Sequence, residues 1–102
     1  MNVSELITHF CAKIGQGKRD GGLFALDITD PGKQFLVQLD SEGARIVSDT
    51  SAQPTATLTC SEKTLRDLAE KKLKPAIALA TGKVRVGGNI RALLALVKEM
   101  KL

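Results

Sequence analysis

Residues 55–96 read TATLTCSEKTLRDLAEKKLKPAIALATGKVRVGGNIRALLAL, and the order of elements in this stretch decides the fold. In "TATLTC" Thr55, Thr57 and Thr59 alternate with Ala56, Leu58 and Cys60, the period of two that predicts a strand with one apolar face. Ser61 caps a predicted helix that carries Leu65, Leu68 and Ala69 on one stripe and ends near "KKLK". Pro75 at a first helical position then starts a short apolar helix, which Gly82 closes. "KVRV" reads as a brief strand, and Asn89 as the cap of a final helix, "IRALLALVKEM".

"GKVRVGGN", residues 82–89, invites a phosphate-loop reading, but the order is wrong for one. A P-loop sets its glycines after a strand and its Lys-Ser/Thr pair at the start of the next helix. Here Gly82-Lys83 precedes the strand, Gly87-Gly88 follows it, and no Lys-Ser or Lys-Thr opens the helix. These residues read as turn punctuation around one short strand.

Upstream, Val3, Leu6, Ile7, Phe10, Cys11 and Ile14 recur at helical spacing. Asn2 and Glu5 supply a capping box and Gly15 a stop. After the joint "GQGKRDGG", "LFALDIT" places Phe24, Leu26 and Ile28 on one face, and "QFLVQLD" does the same with Phe35, Val37 and Leu39. "DPGK" supplies the turn between them, and "ARIVSD" alternates more weakly. This predicts an antiparallel meander whose apolar face must be covered.

At 102 residues the chain has room for one domain, expected over 1–102, with a modest core. Its 43% hydrophobic and 25% charged residues are ordinary globular usage. The N-terminus lacks the apolar core of a signal peptide, an expectation of a cytoplasmic protein with Cys11 and Cys60 reduced. The final "MKL" only weakly resembles a peroxisomal "SKL" address.

The net charge of +4 is uneven. Residues 1–60 hold five bases against seven acids, and residues 61–102 ten bases against four acids. A basic half suits solvated helix faces, an anionic membrane surface or nucleic acid. With no Trp or Tyr, and with its three Phe at apolar-periodic positions, the chain lacks stacking platforms, so nucleic acid is not expected as a partner.

Catalytic and metal chemistry find little to work with. His9 is the only histidine and lies about 200° around the first helix from Cys11. One histidine with two distant cysteines does not make a metal site, and no cofactor motif is present. One feature exceeds the needs of a core. On the last helix Ile90, Leu93, Leu94 and Val97 form a stripe that Leu96 and Met100 widen to about 160°. Either two neighbours bury this helix or part of its apolar face lines a cavity.

The stretch quoted above resembles the C-terminal half of the sterol carrier protein type-two domain family. Pro75, Gly82, Lys83, Gly88 and Asn89 match that family's order without a gap, as do Thr55, Thr57 and Thr59. The resemblance covers residues 18–100, with specific motifs from 55 onward. It implies an α/β (α+β) domain in which a five-stranded, mostly antiparallel sheet is covered on one face by helices. These enclose an apolar tunnel for a fatty acid, fatty acyl-CoA or sterol, with no chemistry of its own, and the C-terminal helix is its roof. Three departures stand out: Lys71 where the family often has Gly, Leu79 and Ala80 in place of bulkier aromatics, and a short N-terminal helix.

The expected function is binding and intracellular carriage of an apolar lipid. Its expected lining is drawn from Phe24, Leu26, Phe35, Val37, Leu65, Leu68, Leu79, Ile90, Leu93, Leu94 and Val97. Lys72, Lys74, Lys83 and Arg85 are candidate contacts for a ligand head group or an anionic membrane. The competing reading is an accessory docking module with a self-filled pocket; a more remote one is a small acid–base enzyme.

Overall fold

The computed structural model describes residues 2–19, 21–30, 32–48 and 53–99. Along the chain these form α1 (Val3–Ala12), β1 (Gly22–Ile28), β2 (Lys33–Asp40), β3 (Gly43–Val47) and β4 (Ala56–Cys60). There follow α2 (Glu62–Ala69), α3 (Pro75–Ala80), β5 (Val84–Gly88) and α4 (Ile90–Glu99). The strands make one sheet in the order β3-β2-β1-β4-β5. Three of its four pairings are antiparallel, and β1 with β4 is parallel.

The register explains the core. Phe24 pairs with Val37 and with Ala56, and Leu26 with Phe35 and with Leu58. Leu58 in turn pairs with Val86, and Cys60 with Val84. Because side chains alternate across a sheet, all of these lie on one face. That face shares a single buried cluster with side chains of all four helices, among them Ile7 and Phe10 of α1, Leu65 and Leu68 of α2, Ala78 of α3, and Leu93 and Leu96 of α4. The helices therefore cover one face, as expected. Leu23 and Ala25, on the opposite face of the central strand, are buried outside this cluster.

Helix starts follow the sequence closely. Asn2 and Glu5 form a reciprocal capping box on α1. The Thr64 backbone N–H donates to Ser61 Oγ at the start of α2, and the Ala92 N–H to Asn89 Oδ1 at the start of α4. Helix ends are less regular. Gly15 does not stop α1: the helix ends at Ala12, where the Lys13 and Ile14 N–H groups bond to Phe10 O and Cys11 O. These i to i−3 bonds tighten the last turn before the glycine is reached. The turn Pro31 and the "MKL" end lie outside the described residues.

α2 and α3 end in the same way, with one difference in residue choice. At α3 the Gly82 N–H bonds to Leu79 O and the Lys83 N–H to Ala78 O, with Gly82 at φ +77°. At α2 the Lys71 N–H bonds to Leu68 O and the Lys72 N–H to Asp67 O, with Lys71 at φ +61°. Both are Schellman ends, which favour glycine in the left-handed position. Lys71 thus carries the strain that its departure from the family pattern suggests.

The "GGN" turn is fixed by close approach. A Cβ on Gly88, which sits at φ +78°, would lie 2.7 Å from Thr55 O and 3.0 Å from Ala56 Cα. Only glycine lets β5 run this close to the start of β4 before the chain turns into α4. The Asn89 N–H then donates to Thr55 O, which seats the helix on the sheet.

Candidate functional site

An apolar cavity of about 290 Å³ lies over the β4–β5 edge of the sheet between α3 and α4. Leu58 comes from β4 and Val84 and Val86 from β5, side by side through the register just described. Leu68 closes the α2 end, Pro75, Ala76 and Leu79 form the α3 wall, and Leu93, Leu94 and Val97 the α4 wall. Every lining residue is apolar. Water placed there would find no hydrogen-bond partner among these side chains, so the space favours an apolar occupant.

Of the eleven residues expected to line a lipid space, Leu68, Leu79, Leu93, Leu94 and Val97 come together here. Leu26, Val37 and Leu65 are instead packed in the core. Phe24 is also a core residue and borders a second cleft, while Phe35 is half-buried against the core. Phe24, Leu26, Phe35 and Val37 belong to β1 and β2, outside the β4–β5 pair that floors the cavity, although β1 is the direct neighbour of β4. Ile90 is 48% exposed on α4 and does not line the cavity. Leu58, Pro75, Ala76, Val84 and Val86 complete the lining and were not expected. The alternation of β4 and of "VRV" places Leu58, Val84 and Val86 on the core face, but nothing in it distinguishes core from cavity wall.

The wide stripe of α4 resolves into three zones. Leu93 and Leu96 are each 1% exposed and fix the helix to the sheet. Leu94 and Val97 face the cavity, with Leu94 still 48% exposed at its edge. Ile90 stands further out, and Met100 lies outside the described residues. Both readings of the stripe therefore hold for different residues: part of it is core and part is cavity wall. The void is confined to this side of α4, and no through-tunnel is shown among the described residues.

On its other side α4 borders a separate, mixed-polarity cleft of about 420 Å³ with Arg19, Thr55, Arg91 and Glu99 among its walls. Arg19 Nη1 donates to Asp40 O at 2.8 Å, and Arg19 Nη2 pairs with Glu99 at 3.4 Å. This ties the C-terminal end of α4 to the α1–β1 joint.

Of the four candidate cationic contacts only Lys83 and Arg85 come together, and not at the apolar cavity. Lys72 pairs with Glu70 at 3.1 Å, and Lys74 is exposed at the N-terminal boundary of α3. Arg85 alternates with Val84 and Val86, so it points to the sheet face opposite the cavity. Lys83, two residues before it, borders the same polar cleft as Arg85, with Thr29, Thr59 and Ser61. Period-two alternation is the reason a basic residue within "KVRV" cannot serve a cavity lined by its valines.

Titratable chemistry near the cavity is sparse. Cys60, in the core beside α2, has its thiol pushed up to about 11 by burial, and burial also raises that of Cys11. Both cysteines are free and buried. They are therefore neutral thiols at pH 7, not thiolate nucleophiles. Among the described residues no group of three or more His, Cys, Asp and Glu is placed to hold a metal, and no helix is long and apolar enough to cross a membrane.

This architecture matches known proteins. The solution structure of palmitated SCP2L2 from Aedes aegypti is similar at a TM-score of 0.77 and 25% identity, covering 98% of this chain and 95% of that one. The crystal structure of SCP2-L2 from the same organism is similar at a TM-score of 0.73 and 24% identity, covering 94% of each chain. A part of the sec-alkyl sulfatase PisA1 is similar at a TM-score of 0.82 and 14% identity over 96% of this chain, which spans 16% of the sulfatase's length. At these identities the last two establish the fold alone. No curated protein matches the chain in sequence. The pattern of the SCP-2 sterol transfer family matches residues 13–101, and the chain belongs to that family.

Proposed function

We propose that the protein binds the hydrocarbon part of a lipid in the cavity between α3 and α4 and carries it through the cytoplasm. The observation that carries this reading is the wholly apolar lining of that cavity. Each methylene moved from water into such a space contributes about 0.8 kcal/mol. A volume of about 290 Å³ lies near the lower end of the range for ligand pockets, about 300–1,000 Å³. That size favours a fatty acid or the acyl chain of a fatty acyl-CoA over the bulkier ring system of a sterol. The palmitated state of the Aedes aegypti SCP2L2 structure supports the same preference. The protein supplies burial and no chemistry of its own, and neutral Cys60 beside α2 agrees with that role.

A second reading is a non-enzymatic accessory or docking module whose pocket is self-filled. It is favoured by the occurrence of this fold as a small part of a much longer sulfatase chain. Native mass spectrometry of the purified chain, combined with displacement of a fluorescent fatty acid, separates the two. The carrier reading expects co-purified lipid and saturable displacement. It also expects Ala76→Phe, which fills the half-open α3 wall, to abolish displacement without unfolding the protein. Wild-type protein that shows neither lipid nor displacement contradicts the carrier reading.

A further inference from the structure

The exposed large hydrophobic residues of the described structure are Ile77 (51% exposed), Leu79 (36%), Ile90 (48%) and Leu94 (48%), all on α3 and α4. α3 is anomalous as a surface helix. All six of its residues are apolar and only Ala78 is buried; Ile77 and Ala80 are exposed away from the cavity, and Ala76 and Leu79 are exposed at its edge. A helix that is apolar all round belongs under a protein layer or in contact with lipid. On α4, Ile90 and Leu94 are one turn apart and so share a face, next to the cavity wall formed by Leu93, Leu94 and Val97.

The charged residues along the segment that carries this patch are of one sign, although Lys72 is paired with Glu70 at its border. Between Glu70 and Glu99 the sequence holds seven bases, Lys71, Lys72, Lys74, Lys83, Arg85, Arg91 and Lys98, and no acid. Arg85 faces the far side of the sheet, but Lys72 and Lys74 lead into α3 and are exposed. Arg91 and Lys98 lie within about 60° of Leu94 around α4, and both are exposed. An apolar face flanked by lysine and arginine is the pattern of an element lying in the interface of an anionic bilayer. An acidic protein groove would match the charge. It would not call for an all-apolar helix whose largest side chains stand outward at the edge of a lipid-sized cavity.

We infer that the outward faces of α3 and α4 dock on an anionic lipid bilayer, with Ile77, Leu79, Ile90 and Leu94 entering the acyl-chain boundary and Lys74, Arg91 and Lys98 at the head groups. This rests on the reading of the neighbouring cavity as a lipid site, which it deepens: the docked orientation turns the α3 wall of the cavity toward the membrane that supplies or receives the lipid.

The test is co-sedimentation of the full chain with vesicles of phosphatidylcholine alone and of phosphatidylcholine with phosphatidylserine. Binding to the anionic vesicles is expected to be stronger by on the order of tenfold or more and to weaken with added salt. Ile77→Glu is expected to lose on the order of tenfold in vesicle binding. It should displace the fluorescent fatty acid normally in vesicle-free buffer, since Ile77 does not line the cavity. A second variant, Lys74→Glu with Lys98→Glu, is expected to remove the preference for phosphatidylserine. Equal or absent wild-type binding to the two vesicle types overturns the proposal, as does wild-type binding by Ile77→Glu. So does a dimer in sedimentation velocity that Ile77→Glu dissociates, because a second copy would then cover the patch. Vesicle binding by a chain that never takes up fatty acid would support docking and contradict the cavity reading alone.

Discussion

α1 and α4 are both ten residues long, and both are capped by an asparagine that accepts a backbone N–H in the first turn. They use their apolar residues differently. α1 buries Val3, Leu6, Ile7, Phe10 and Cys11 against β3, α2 and the rest of the core, and its outward residues are mostly polar. α4 buries only Leu93 and Leu96 fully and leaves Ile90 and Leu94 half outside. The difference lies in the width of the apolar arc. An arc matched to the surface that receives it makes a lid, whereas one of about 160° exceeds that surface and leaves side chains over for a cavity wall and an exposed rim. One helix thus serves stability, and the other is free to serve a ligand.

The strongest way to break this comparison is to truncate matched residues in the two helices. Ile7→Ala in α1, where the side chain has no exposure, is expected to cost about 2–5 kcal/mol in denaturant unfolding. Leu94→Ala in α4 is expected to cost less than about 1 kcal/mol, because half of that side chain is already in water, while weakening fatty-acid displacement several-fold. Equal stability losses would show that α4 is a core helix like α1. The seat of α4 gives the next effect. Gly88→Ala is expected to cost about 1–3 kcal/mol from the backbone alone, in addition to the clash with Thr55 O, whereas Gly87→Ala has open space around its Cβ.

Much of this contrast was legible in the sequence, and its limits have physical causes. The strands, caps, Pro75 start and Gly82 end follow from period, side-chain oxygens and backbone freedom, all of which are local. The excess width of the last helix was visible too, as an apolar arc too broad for one packing surface. The cavity's composition was not. Leu26 and Leu68 look alike as periodic leucines, yet one is packed in the core and the other also borders a void. What separates them is the placement of α3 and α4 over β4 and β5, which is a tertiary property. Arg85 shows the converse: its alternation with Val84 and Val86 carried the information that puts it on the far face, yet it was expected to contact a ligand head group.

The two cysteines extend the comparison to pH. Cys60 lies near the cavity end of the molecule and Cys11 on α1, and burial raises both thiols. The folded state holds Cys60 neutral up to about 11, while in the unfolded chain the thiol ionises near its ordinary value of about 8.5. Its contribution is fully present below that unfolded value. It declines as pH rises through the interval up to about 11, since unfolding then releases a proton. Denaturant midpoints measured from pH 8 to pH 11 are expected to fall, and Cys60→Ala is expected to flatten that fall more than Cys11→Ala. A further small effect sits at the end of α2, where Lys71→Gly should raise stability by about 1 kcal/mol through relief of the left-handed backbone. The corresponding end of α3 already has Gly82 and leaves nothing to gain.

The most direct test of the central claim is methyl NMR of the leucine, valine and isoleucine residues during titration with palmitate. The cavity account predicts saturable shifts at Leu58, Leu68, Leu79, Val84, Val86, Leu93, Leu94 and Val97, with the methyls of Val3, Leu6 and Ile7 in α1 unmoved. Shifts centred on α1 and the β1–β2 core, or no saturable shift at the cavity methyls, would contradict it.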